Sequence, residues 1–174
     1  MPPALRPARP EDHAAILAFW NPLIRDTTVT FSSEEKSPES LAAMIAARRA
    51  AGHAFLVAED AGAVLGFATY AQFRGGNGYA TAMEHTIILA EAARGRGVGR
   101  ALIEAIAGHA AAAGAHTLMA GVSAENSGGI AFHRAVGFRT VAVVPEVGRK
   151  FGRYIDLVLM QRVLATADKA RGAG

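Results

Sequence analysis

The chain has 174 residues, the size of one ordinary domain, with 51% hydrophobic and 19% charged residues. That excludes a disordered chain and supports a core without covalent staples. Cysteine is absent, which excludes a disulfide framework, a thiolate zinc site and a cysteine nucleophile. The formal charge of +3 comes from dispersed arginines, with no basic run of the kind that marks a nucleic-acid partner, so an anionic ligand would need a local patch. The N-terminus has no apolar leader core, and no apolar run reaches the roughly 18 residues of a membrane span. The expectation is a cytoplasmic protein with one domain over 1–164 and a flexible tail over 165–174.

Leu5 to Ala8 reads as a first strand. Pro10-Glu11-Asp12 opens a helix, with acids in the first turn where the helix dipole favours them. Its apolar face is Ala15, Ile16, Phe19, Trp20 and Leu23. Thr27 to Phe31 is β-branched and aromatic and is expected to be extended. Ser37-Pro38 starts a second helix that Gly52 closes. Ala54–Glu59 and Val64–Tyr70 are strand-like runs joined by Asp60-Ala61-Gly62, a hairpin signal. After a glycine-rich loop over 75–78, Met83–Leu89 is a further strand. A second glycine-rich loop, Arg94–Gly99, leads into a helix from about Val98 to Ala113. Leu118–Val122 is a strand, Ile130–Val136 a short helix, and Phe138–Val144 and Tyr154–Met160 two last strands, separated by Pro145 and a Gly/Arg/Lys turn. The order β-α-α-β-β-β-α-β-α-β-β predicts an α+β fold: a mixed, mostly antiparallel sheet flanked by helices.

The sharpest local feature is Arg94-Gly95-Arg96-Gly97-Val98-Gly99-Arg100, between a strand and a helix. Free amides at a helix N-terminus attract anions, glycines let the backbone approach a phosphate, and arginines add charge. The spacing fits neither G-x-G-x-x-G nor a P-loop. It does fit, as Arg94-x-x-Gly97-x-Gly99, the pyrophosphate loop of the GNAT N-acetyltransferases. Further segments carry the same resemblance: Leu5-Arg6-Pro7-Ala8, Thr28-Val29-Thr30-Phe31, and the series Phe73-Arg74, Tyr79, Glu84-His85. Asn126 followed by His133 and Gly137-Phe138, and the turn from Val147 to Arg153 with Asp156, continue it. From Leu5 to about Leu164 the chain resembles the phosphinothricin and methionine sulfoximine acetyltransferases of that superfamily.

The resemblance implies acetyl transfer from acetyl-CoA, without a metal, to the primary amine of a small amino acid analogue, and a homodimer with acceptor sites near the interface. Such a reaction needs a base, an oxyanion donor and an acid for the leaving thiolate. Glu84 is the candidate base, provided that burial raises its pKa. The backbone of Thr86, Ile87, Ile88 and Leu89 is expected to hold the pantetheine arm and donate to the thioester oxygen. Arg94, Gly95, Arg96, Gly97, Val98, Gly99 and Arg100 are expected to hold the diphosphate. His133 is a candidate acid for the thiolate, its alternative being a packed helix histidine. Asn126 is a candidate partner of the pantetheine, of the short helix as its N-cap, or of both. Arg74 is a candidate clamp for a substrate carboxylate, with Phe31, Tyr79 and Lys150 shaping the same pocket. His13, His53, His85, His109 and His116 lack metal-ligand spacing and read as structural. Departures from the family pattern fall mainly at the acceptor end, at Met44, Gly75–Gly78, Ala82, Met83 and Tyr154, with Gly129 replacing a serine near the coenzyme. Two other readings stay open: a GNAT enzyme acting on a peptide or protein amine, and a non-catalytic acyl-CoA-binding module.

Overall fold

A computed structural model describes residues 3–164; the expected tail over 165–174 lies outside them. The chain alternates strands β1 (Ala4–Pro7), β2 (Phe55–Asp60), β3 (Ala63–Gln72), β4 (Ala82–Leu89), β5 (Thr117–Ser123), β6 (Arg139–Lys150) and β7 (Arg153–Val163) with four helices. These are α1 (His13–Asp26), α2 (Pro38–Ala50), α3 (Val98–Ala112) and α4 (Ser127–Ala135). Among the described residues, no helix is long and apolar enough to cross a membrane.

The strands form one seven-stranded sheet in the order β1-β2-β3-β4-β5-β7-β6. Every neighbouring pair is antiparallel except β4–β5. The α+β expectation holds, and its local rules are visible. Ala61 and Gly62 both have positive φ, as a two-residue hairpin turn requires if it is to follow the twist of its strands. The Ser37 side chain accepts the amide of Ser40, and Pro38 stands at the first helical position of α2. A partly buried clamp fixes the start of the chain: Arg6 donates both Nη groups to Asp12 (2.7 and 2.8 Å) and its Nε to Glu59 (2.7 Å).

Two cores cover the two faces of the sheet. Helix α3 buries Val98, Leu102, Ile103 and Ile106 against one face. Helices α1 and α2 bury Ile16, Trp20, Ile24, Leu41 and Ile45 against Phe55, Val57, Phe67 and Ile88 on the other. In this second core the Phe67 ring lies 4.9 Å from both Trp20 and Phe55, and aromatic pairs at such spacing add about 1 kcal/mol each to the area they bury.

Two expectations need correction. Thr27–Phe31 forms no strand; it leaves α1 as a series of bends, because strand propensity is realised only with a partner and no strand pairs with this segment. The last hairpin is longer than expected. Strand β6 runs through Pro145, where its pairing to β7 shifts register between Val144 and Gly148. As the outermost strand it tolerates a residue without an amide proton. The turn itself falls at Phe151-Gly152, both with positive φ.

Candidate active site

The parallel pair β4–β5 is short. Residues pair only from Ala82 with Thr117 to Glu84 with Met119. Beyond that point β4 stays on β3 as far as Leu89, while β5 stays on β7 as far as Ser123. The two strands diverge and open the sheet. A cavity of about 430 Å³ fills the opening. Its walls are Glu84 to Ile88 from β4, Ala120 to Ser123 from β5, Asn126 and His133 at α4, and Val29 to Ser32 from the bent segment. Trp20 of α1, Lys36 before α2, Arg48 of α2, and Ala71 and Gln72 of β3 complete the wall.

Glu84 is the last residue of β4 paired to β5, where the strands part. Its carboxylate lies above Gly121; a Cβ there would come within 3.2 Å of Oε1. Half-buried, it has no hydrogen-bond or ion-pair partner among the described residues. Burial alone pushes its pKa above the ordinary carboxylate value, the direction a general base for an amine requires. Past Glu84 the β5-facing main chain of Thr86, Ile87 and Ile88 has no strand partner. That backbone is available to an extended ligand and to an oxyanion.

At the end of β4 the chain passes through a 3-10 turn into the Arg94–Arg100 loop. Gly97, the N-cap of α3, has φ 74° and ψ 0°, a left-handed conformation that favours glycine. The amides of Gly95, Gly97, Val98, Gly99 and Arg100 have no acceptor among the described residues. The loop is thus open to an anion at the positive end of a 15-residue helix. Its arginines differ. Arg96 is paired with Asp60, and Arg100 donates to the Ala135 carbonyl at 2.9 Å. Arg94 is exposed and has no such partner among the described residues. The amides, rather than three free guanidinium groups, are the main donors. The unpaired β4 backbone lining the cavity and, farther along the same chain run, the open amides of this loop fit the pantetheine and the diphosphate of acetyl-CoA.

Asn126 accepts the Gly129 amide at 2.8 Å and caps α4 while also lining the cavity. Its side chain lies so close to Gly129 that a Cβ there would overlap it, so any larger residue would require the Asn126 amide to shift. His133 departs from its expected role. Its Nδ1 donates to the Gly129 carbonyl at 2.6 Å, which leaves Nε2 to accept from His85 Nε2 at 3.2 Å. Both ring nitrogens are engaged, and no N–H is free for a leaving thiolate in this arrangement. His85 is buried against His133 and Phe138. Desolvation, with a smaller effect from His133, pushes its pKa down to about 3, so the ring stays neutral.

The acceptor-side candidates separate. Phe31 lines the cavity and its ring covers Gly148 of β6 so closely that a Cβ there would collide with it. Lys150 is only 4% exposed and does not face the cavity. Its ammonium donates to the carbonyls of Ile24 (2.5 Å) and Thr30 (2.8 Å), tying the bent segment to β6. Arg74 and Tyr79 lie outside the cavity wall: both are exposed, and the guanidinium stands 5.5 Å from the Tyr79 ring centroid. Sequence reasoning passed over Gln72, Lys36 and Arg48. Arg48 had a signal: it follows Leu41 and Ile45 at seven and three residues, on the buried stripe of α2.

The model of the GNAT acetyltransferase domain matches residues 5–159. A methionine sulfoximine/methionine sulfone acetyltransferase of Pseudomonas paraeruginosa is 35% identical, over 92% of this chain and 94% of its own length. A phosphinothricin N-acetyltransferase of Streptomyces coelicolor is also 35% identical, over 92% of this chain and 95% of its own. The crystal structure of a phosphinothricin acetyltransferase from Sinorhizobium meliloti in complex with acetyl-CoA superposes with a TM-score of 0.89 at 30% identity, covering 97% of this chain and 92% of that one. Together with the sheet order and the opening between β4 and β5, these matches assign the chain to the GNAT acetyltransferase family.

Proposed function

We propose that the protein transfers the acetyl group of acetyl-CoA to the primary amine of a small amino acid analogue of the methionine sulfone, methionine sulfoximine or phosphinothricin type. The observation that carries this reading is Glu84: a half-buried carboxylate without a partner, at the point where the strands part, with its pKa raised by burial. Relatives at 35% identity that act on these analogues support the choice of acceptor.

In this reading the free amides of the Arg94–Arg100 loop hold the coenzyme diphosphate, and the main chain of Thr86 to Leu89 aligns the pantetheine arm. The coenzyme supplies an activated acetyl carbon. The amine enters from the side of the 29–32 segment and gives its proton to Glu84. Main-chain amides of β4 hold the thioester oxygen as charge develops on it. A C–N bond forms, the C–S bond breaks, and the thiolate takes a proton from a group other than His133, whose nitrogens are occupied. The location that goes with this reading is the cytoplasm, where the acyl donor is made.

The test is thiol release from acetyl-CoA over a panel of amines, with turnover of the small amino acid analogues expected. Turnover of peptides with none of the small acids would move the reading to a peptide or protein amine. A homodimer is part of the same reading. The support is apolar exposure on the β6–β7 hairpin at Val143, Val147, Phe151 and Tyr154, close to Gly148, which Phe31 covers. Sedimentation as a monomer at micromolar concentration would remove it.

A further inference from the structure

We infer that Arg48 is the anion anchor of the acceptor cavity and sets the preference for amines that also carry an oxyanion. The inference deepens the proposed function and rests on its placement of the acceptor. The first observation is a contrast among the arginines. Arg6, Arg25, Arg96, Arg153 and Arg162 are each paired with a carboxylate. Arg48 lines the active-site cavity and makes no side-chain hydrogen bond or ion pair with any described residue. Its Nε is buried without an acceptor. Protein interiors leave few such donors unmet, and an unmet charged one is costly.

The second observation is the opposite charge in the same cavity. Glu84 is also unpaired, and the two groups do not meet across 4 Å. A cavity with one unmatched carboxylate and one unmatched guanidinium is complementary to a molecule with an amine at one end and an oxyanion at the other. The guanidinium suits a carboxylate or a phosphinate through two parallel hydrogen bonds. The third observation is that the other cations near the acceptor end are placed differently. Arg74 is exposed, outside the wall and against Tyr79. Lys36 lines the cavity, but its ammonium lies 5.6 Å from the Trp20 ring centroid and already has an aromatic face as partner.

The experiment compares the full chain with its Arg48→Gln, Arg48→Lys and Lys36→Gln variants on methionine sulfone, its methyl ester and phosphinothricin. Arg48→Gln should raise KM for methionine sulfone by about ten- to a hundredfold, the loss of a charge-assisted hydrogen bond. The change in kcat and in KM for acetyl-CoA should be small. The ester has already lost the oxyanion and should show little further loss in the variant. A penalty on both acids identifies the α-carboxylate as the bound group; a penalty on phosphinothricin alone identifies the phosphinate. Arg48→Lys should recover part of the loss. Equal losses on acid and ester, or discrimination lost in Lys36→Gln and kept in Arg48→Gln, would overturn the inference. Thermal stabilisation by methionine sulfone without acetyl-CoA separates the two readings. If wild type is stabilised, Arg48→Gln is not, and neither turns over, the anchor stands and the proposed function fails. If neither protein is stabilised and none turns over, both fail.

Discussion

The coenzyme end and the acceptor end of the cavity are built on different principles. At the coenzyme end the donors are main-chain amides, at the N-terminus of α3 and along the unpaired edge of β4. Side-chain identity hardly matters there, beyond a glycine where φ must be positive. At the acceptor end the wall is made of side chains from α1, α2, β3, β4 and the bent 27–32 segment. That segment has no strand partner and is held by the buried Lys150 ammonium and by Phe31 over Gly148. A backbone site tolerates sequence change, whereas a side-chain site records it.

The comparison can be sharpened by substitutions on either side of it. The largest effect is expected where the two ends meet. Glu84→Gln should lower kcat by about a hundredfold or more, the usual contribution of a general base, and leave acetyl-CoA affinity measured by calorimetry nearly unchanged. An unchanged kcat would remove Glu84 from the chemistry. At the acceptor end, Lys150→Met leaves two carbonyls without their donor, and stability measured by urea unfolding should fall by about 2 kcal/mol. KM for the amine should rise while that for acetyl-CoA stays put; equal changes in both would mean that Lys150 does not act through the 27–32 segment.

At the coenzyme end, Gly97→Ala has room for its methyl group, since nothing lies within 4 Å. The cost is therefore conformational, about 1 kcal/mol. KM for acetyl-CoA should rise and KM for the amine should not. The smallest effect concerns stability and pH. Folding raises the Glu84 pKa, so the folded state favours its neutral form. Stability is fullest below the unfolded value and declines as pH rises through the higher folded one. Glu84→Gln should therefore raise the melting temperature slightly at neutral pH and lose that advantage in acid. A variant less stable at neutral pH would show that the carboxylate is held by a favourable contact.

The same contrast explains what could be read from the sequence. Element order, the hairpin at Ala61-Gly62 and the loop at Arg94–Gly99 depend on local rules of turn geometry and capping. Glu84 and Asn126 are legible because each stands at a fixed distance along one strand–loop–helix run. Arg48 and the tether made by Lys150 are not, because each acts across the chain: the Lys150 ammonium bonds a carbonyl 126 residues away, and Arg48 joins the site only when α2 packs on the sheet. Arg74 and Tyr79 follow the family spacing, yet the Gly75–Gly78 loop leaves both at the surface. His133 stands where the spacing puts it, but its nitrogens are taken up by partners that spacing cannot show. One of them, His85, sits one position from Glu84 on the opposite face of β4.

The most direct measurement is a crystal structure of the protein with acetyl-CoA and methionine sulfone. The diphosphate oxygens should lie within hydrogen-bond reach of the amides from Gly95 to Arg100, with the pantetheine between β4 and β5. The acceptor amine should then reach Glu84 directly or through one water. A diphosphate bound elsewhere, or an amine held away from Glu84 with the thioester in place, would contradict the account.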